Sequence, residues 1–279
     1  MVIAIIGTGL IGGSMAMIAK KKGFTTKVIG VESNTAHAAK ALSLGLVDEV
    51  LSLEDAVKGA DFIVLSVPVN VVEALLPQIL NWVDRQVIMD VGSIKEKIIA
   101  GTTNHPKAGR FVPTHPMWGT EFSGPEAALG NAFIDKAAVI CNRENCDQDA
   151  LALVEEFYKI LDMHLVYMDA AEHDVHVAYV SHISHITSFA LANTVLEKER
   201  GEDAIFELAS GGFESTVRLA KSNAATWAPI FMLNRDNVLD VLNEHISQLK
   251  KFKACLEKEN YEYLEELMND ANKIKRILK

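Results

Sequence analysis

Five apolar residues, Val2-Ile3-Ala4-Ile5-Ile6, open the chain without a polar interruption. So short an unbroken run marks a strand buried on both faces, as in a parallel sheet. Comparable runs recur at 27–32, 61–67 and 86–91, and more briefly at 111–113 and 136–141. Between them, 10–19, 35–44 and 71–80 suit helices, and Gly23 can stop the first. Strand alternating with helix predicts an α/β chain with a doubly wound parallel sheet and right-handed crossovers. Another helix is expected over 149–161. After Asp169 the strand signal fades, and 170–196, 204–209, 214–221, 225–259 and 261–277 read as helix-rich, punctuated by Gly201, Gly211 and Gly212. The Glu- and Lys-rich end reads as the wet face of a helix.

The first strand runs straight into Gly7-Thr8-Gly9-Leu10-Ile11-Gly12. Bare Gly-x-Gly-x-x-Gly is weak, but here it joins a strand to a helix, with Glu32 lying 25 positions after Gly7. Gly7 permits the tight turn, Gly9 leaves room for pyrophosphate, and Gly12 lets helix and strand pack closely. The helix N-terminus offers unpaired amides to phosphates. Glu32 at the end of the second strand suits the ribose hydroxyls and repels a 2′-phosphate, which favours NAD over NADP; Asn34 could soften that discrimination. Ser66-Val67-Pro68 follows the next strand at the ligand edge of such a sheet and is expected to line the cofactor. Ser93 holds the equivalent place one strand on, where it either orients a catalytic group or caps a helix from Ile94. The expected division is a dinucleotide-binding domain over 1–168 and a helical domain over 169–279.

Composition narrows the partners. The 279 residues carry 27 Lys and Arg against 37 Asp and Glu, a net charge of −10, which disfavours a nucleic-acid binder. A small anion remains possible, since one buried Arg can outweigh a distant field. Three cysteines, Cys141, Cys146 and Cys255, make neither a disulfide framework nor a zinc-finger spacing, and suit a reducing cytoplasm. No apolar run reaches membrane-spanning length, and Met1 leads into the first strand with no signal peptide expected before it.

The chemistry-bearing segment is Pro113-Thr114-His115-Pro116-Met117-Trp118-Gly119-Thr120-Glu121. His115 follows a strand end near the expected nicotinamide edge, and removing hydride from a carbinol needs a base for the hydroxyl proton. A second group is His173-Asp174, Ser181-His182 and His185. His182 and His185 share a helix face, whereas His173, nine residues before His182, falls on the opposite face of an ideal helix. No metal is expected, for lack of an HExxH motif or a cysteine partner. Arg218, alone in a small and apolar stretch, can grip a carboxylate through two hydrogen bonds or tie two helices as an ion pair. Trp227 and Asn234-Arg235-Asp236 follow on the next helical region as possible borders of the pocket.

Taken together, the glycine fingerprint, the His115 loop with Gly119, Thr120 and Glu121, the His173–His185 group and Thr216-x-Arg218 resemble the prephenate dehydrogenase family of tyrosine biosynthesis over nearly the whole chain. The resemblance implies a Rossmann-type domain followed by an all-helical dimerisation domain, with the site between them. It implies NAD-dependent oxidative decarboxylation of prephenate to 4-hydroxyphenylpyruvate by a homodimer. His115 maps to the family's catalytic histidine, Ser93 to its nearby serine, and Arg218 to the arginine on a substrate carboxylate. His173, His182 and His185, with Ser181, Gly119 and Thr120, map to the substrate side. Trp118 is bulkier than expected there and either covers the nicotinamide or reshapes the pocket. The expected form is minimal, without a chorismate mutase or regulatory domain. The rivals are arogenate dehydrogenase, a 3-hydroxyacid dehydrogenase using Lys221, and an inactive NAD-binding interaction protein.

Overall fold

The computed structural model describes residues 1–199 and 209–277. The helix expected over 204–209, apart from Ala209, lies outside the described residues, as do Gly201 and the last two positions.

Six strands, β1 (Val2–Ile6), β2 (Lys27–Val31), β3 (Glu49–Val50), β4 (Phe62–Leu65), β5 (Val87–Asp90) and β6 (Phe111–Val112), form a wholly parallel sheet ordered β3-β2-β1-β4-β5-β6. This is the Rossmann order, with its switch point between β1 and β4. Every residue of β4 and β5 is buried, as the apolar run of β4 and the Val87-Ile88-Met89 run of β5 require. Helices α1 (Leu10–Lys21), α2 (Thr35–Ser43), α3 (Leu53–Gly59), α4 (Val69–Trp82), α5 (Glu96–Ala100) and α6 (Gln148–Ile160) complete this part. Two apolar cores result: Met15, Ala16 and Phe157 bring α1 and α6 to one, while Val72, Leu76 and Ile79 bring α4 to the other.

A second sheet of β7 (Thr114–Pro116), β8 (Ala137–Cys141) and β9 (His164–Met168) was not foreseen in full. The His115 segment is a strand, antiparallel to β8, with His115 opposite Val139. Pro116 fits because β7 is an edge strand, where a missing N–H costs little. The helical part follows as α7 (Ala170–Val177), a π-helical turn (Ala178–His182), α8 (Ile183–Glu199), α9 (Gly211–Val217), a 3-10 turn (Arg218–Lys221), α10 (Ala224–Leu233), α11 (Arg235–Glu257) and α12 (Tyr261–Ala271). No helix among the described residues is long and apolar enough to cross a membrane.

Two buried carboxylates join these parts. Asp174 of α7 accepts from the amides of Lys95 (2.8 Å) and Glu96 (2.9 Å), so it caps α5 from the helical side. The alternative of Ser93 as the cap is corrected: Lys95 takes that position, and α5 begins two residues later than expected. Asp90, at the end of β5, pairs with the fully buried Lys95 ammonium. Its Oδ1 accepts from the amide of Thr114 (3.0 Å) and its Oδ2 from that of Gly92 (2.9 Å). The Thr114 hydroxyl lies 2.5 Å from both the Asp90 carbonyl oxygen and the Tyr158 hydroxyl. β7 is thereby fixed against the end of β5, with Thr114 turned into the core.

Removing the cation from a buried pair strands its carboxylate. Lys95→Met is expected to destabilise the fold by about 3–5 kcal/mol, read from urea unfolding; a variant as stable as the parent would show that the pair contributes little.

Candidate active site

The nucleotide end is built on glycine geometry. Gly7 has φ +94, and a Cβ there would lie 2.3 Å from the Ser66 carbonyl oxygen. A Cβ on Gly12 would lie 2.2 Å from the Gly7 carbonyl oxygen, so the turn, α1 and the end of β4 close only without side chains. Gly9 caps α1 without a side chain, and the first turn has no acidic residue, which leaves its amides open to an anion. Glu32 follows β2; its Oε2 accepts from the Thr8 amide and hydroxyl, both at 3.2 Å. These features fit a dinucleotide. The Asn34 side chain caps α2, its Oδ1 accepting from the amides of Ala36 (2.9 Å) and His37 (3.1 Å).

A cavity of about 650 Å³ runs from Gly9, Leu10 and Ile11, past residues 66–68 and Ser93, to His115, Gly119, Thr120, Ser181, His185 and Arg218. Gly7, Thr8, Gly12 and Glu32 lie outside its wall and shape the turn. His115 Nδ1 lies 2.9 Å from His173 Nε2, and His173 Nδ1 lies 2.8 Å from Asp174 Oδ1. Burial, reinforced by His173, Lys95 and His182, holds the His115 imidazole well below the usual histidine range.

His173 and His182, expected to touch substrate, are corrected. They are 1% and 0% exposed and stand behind the wall rather than on it. His182 Nδ1 lies 3.2 Å from Asn234 Nδ2, and burial pushes its pKa down to about 4 against the opposing pull of Asp174. His173 faces His115 of the nucleotide-binding part, whereas His182 ends the π-helical turn that follows α7 and meets Asn234. His185 does reach the cavity; its ring stacks on Trp227 with centroids 3.4 Å apart, and its Nδ1–H donates to the Ser181 carbonyl oxygen at 3.1 Å. Burial lowers its pKa too.

Arg218 stands at the mouth, 51% exposed at its side chain, with Nη1 3.0 Å from Glu121 Oε2. The pair ties this 3-10 turn to a loop residue and not to a second helix, and an ion pair at the rim still leaves guanidinium edges free for a ligand. Lys221 lies outside the wall, exposed and 3.7 Å from Glu214, which weakens the lysine-dependent rival. Among the described residues no group of three or more His, Cys, Asp or Glu could hold a metal.

Residues 15–167 match the family described as "Prephenate dehydrogenase, nucleotide-binding domain", and residues 169–270 match "Prephenate dehydrogenase, dimerization domain". The chain belongs to the prephenate dehydrogenase family. It is 30% identical to the prephenate dehydrogenase of Bacillus subtilis over 94% of this chain and 72% of that one. It is also 30% identical to the cyclohexadienyl dehydrogenase of Zymomonas mobilis, over 99% and 96% of the two chains. The crystal structure of Aquifex aeolicus prephenate dehydrogenase, in complex with hydroxyphenyl propionate and NAD+, superposes with a TM-score of 0.90 at 31% identity, covering 99% of this chain and 97% of that one.

Within this family fold, several supporting residues escaped the sequence reading. Asp90, Lys95 and Tyr158 fix β7 but look like ordinary strand and helix residues in the chain. Lys136 joins the wall from the start of β8. Trp118 packs edge-on against Phe133, with centroids 5.2 Å apart, so its bulk anchors the wall. Trp227 borders the cavity, Asn234 is a buried brace, and Arg235 pairs with Asp236 at the surface.

Burial of neutral imidazoles gives stability a pH dependence. The unfolded histidines take protons below about 6.5, whereas His182 resists until about 4 and His115 is likewise depressed. Acid therefore favours the unfolded chain, and the contribution present above the unfolded pKa is lost as pH falls through that window. Denaturant midpoints should decline from pH 7 to pH 4.5; a level profile would contradict the burial of neutral rings.

Proposed function

We propose that this chain oxidises prephenate with NAD and releases the ring carboxylate as carbon dioxide, giving 4-hydroxyphenylpyruvate. The observation that carries the reading is that one cavity joins the glycine turn, His115 and Arg218. The Gly9 turn holds the pyrophosphate, Glu32 the ribose, and residues 66–68 with Ser93 flank the nicotinamide. NAD, when bound, accepts the hydride that leaves the carbinol carbon. His115 takes the hydroxyl proton, and a neutral imidazole is the form able to do so. Arg218 holds a carboxylate while Gly119, Thr120, Ser181 and His185 enclose the ring. The new ketone is conjugated with the ring diene, so it receives the electron pair of the breaking carbon–carboxylate bond, and aromaticity drives the loss of carbon dioxide.

Arogenate differs by an ammonium in place of the side-chain ketone. Glu121 is the only acidic residue on the wall among those described, and it is already paired with Arg218. That arrangement favours the ketone. Measuring NADH absorbance with each substrate and with NAD or NADP tests the choice; a preference for arogenate would move the substrate and keep the chemistry. His115→Ala should lower kcat by about 10²–10⁴-fold, while Arg218→Ala should mainly raise KM for prephenate, with a penalty below that of a buried charge pair because half the side chain is in solvent. Turnover unchanged in His115→Ala would remove the base.

We also divide the chain at 168/169, where β9 ends and α7 is about to begin. The helical part supports a homodimer: on α11, Leu239, Ile246, Leu249 and Leu256 are all exposed and spaced by seven, three and seven, an apolar seam facing outward. Three free thiols are in keeping with a cytoplasmic protein. Light scattering at micromolar concentration should give twice the chain mass; a persistent monomer overturns the dimer.

A further inference from the structure

The contacts behind His115 run in one chemical direction, and that direction can be derived. A carboxylate only accepts hydrogen bonds. Asp174 already receives the amides of Lys95 and Glu96, which hold it in place from the side of α5. His173 Nδ1, at 2.8 Å from Asp174 Oδ1, must therefore carry hydrogen and donate. A neutral His173 then has its lone pair on Nε2. His115 Nδ1, 2.9 Å from that lone pair, must donate in turn. One tautomer of His115 remains, with hydrogen on Nδ1 and the Nε2 lone pair left for a ligand. The reverse tautomer would set a ring lone pair against the carboxylate.

We propose that His173 and Asp174 are positioning residues for the base: they hold His115 in the tautomer with a bare Nε2, and they receive the positive charge when His115 takes the substrate proton. The proposal rests on His115 being that base. In the step itself, the substrate O–H bond breaks and an Nε2–H bond forms on His115. The Nδ1–H bond of His115 breaks and an Nε2–H bond forms on His173. His173 becomes an imidazolium that donates to both neighbours, and the charge ends one ring further from the cavity, beside Asp174.

The surroundings give such a transfer a purpose. His115 is 8% exposed, and the groups facing it are Lys95, already paired with Asp90, His182 from the π-helical turn, and His185 and Arg218 toward the cavity. Cations and dry walls oppose a charge on His115. Asp174 is the anion at the end of the chain that lacks an ion-paired Lys or Arg, so charge held on His173 is compensated where charge on His115 is not. A triad built on a hydroxyl nucleophile uses the same logic, with a buried carboxylate choosing the histidine tautomer.

Three variants separate holding from charge transfer. His173→Phe keeps a ring but removes both nitrogens; His173→Gln keeps an acceptor near the Nε2 position but cannot become cationic; Asp174→Asn removes the anion. Folding is checked by thermal melting, and His173→Gln, the gentlest change, stands if either of the others fails to fold. His173→Phe should lower kcat by about 10²-fold or more, with KM for prephenate and NAD nearly unchanged, and His173→Gln should fall between it and the parent. Losing the charge acceptor weakens the base, so the acid limb of kcat/KM should move to lower pH in His173→Gln and Asp174→Asn. Nitrogen-15 NMR of the parent at neutral pH should show His115 protonated on Nδ1, without substrate present. His115 protonated on Nε2 beside a neutral His173, or an unmoved acid limb with parental kcat, would overturn the relay. If His115→Ala is inactive while His173→Gln is unaffected, the relay fails and the base survives; if His115→Ala is fully active, the base reading fails first.

Discussion

A carboxylate withdrawn from water must be answered by donors on every side, and Asp174 draws its answer from two parts of the chain at once. Its oxygens collect the first amides of α5 and the ring of His173. Neither part could satisfy it alone, so burying this one side chain specifies how the helical region meets the nucleotide-binding sheet. Asn234 adds to the same point by donating to the Asp174 carbonyl oxygen at 2.7 Å. The position of His115 follows, since it is held from the sheet side through Thr114 and Asp90 and from the helical side through His173.

This double support explains why the chemical end is dry while the rim is not. Behind His115 stand groups almost without exposure: Lys95, Asp90, Thr114 and His173. At the mouth, Arg218 sits in a short 3-10 turn with about half its side chain in solvent. Groups that manage protons gain from a low dielectric, which strengthens each directed contact. A group that must meet and release an anion gains from water nearby.

Much of the architecture was legible because buried parallel strands advertise themselves. β1 and β4 are contiguous apolar runs, β5 is one up to Asp90, and the glycine turn announces both its position and its ligand. β3 has only two residues, too few for any periodicity. β9 is only partly buried, so its pattern is mixed. β7 carries no strand signal because Pro113 precedes it and Pro116 ends it, a combination that only an edge strand tolerates. The histidines were visible as residues, but not their division of labour. His115 and His173 are separated by 58 positions, so their contact leaves no local pattern in the chain. The Lys95–Asp90 pair carried no signal, since a lysine in a short polar-looking turn reads as solvated.

Because His115, the proposed base, belongs to a strand of a hydrogen-bonded sheet, its reach is inherited from the backbone and not from loop conformation. Arg218 has no such tether. Under the proposed function, changes of the rim would retune which ring-bearing acid is admitted without disturbing the groups behind His115. A scaffold divided in this way lets substrate preference drift among descendants while the reaction is conserved.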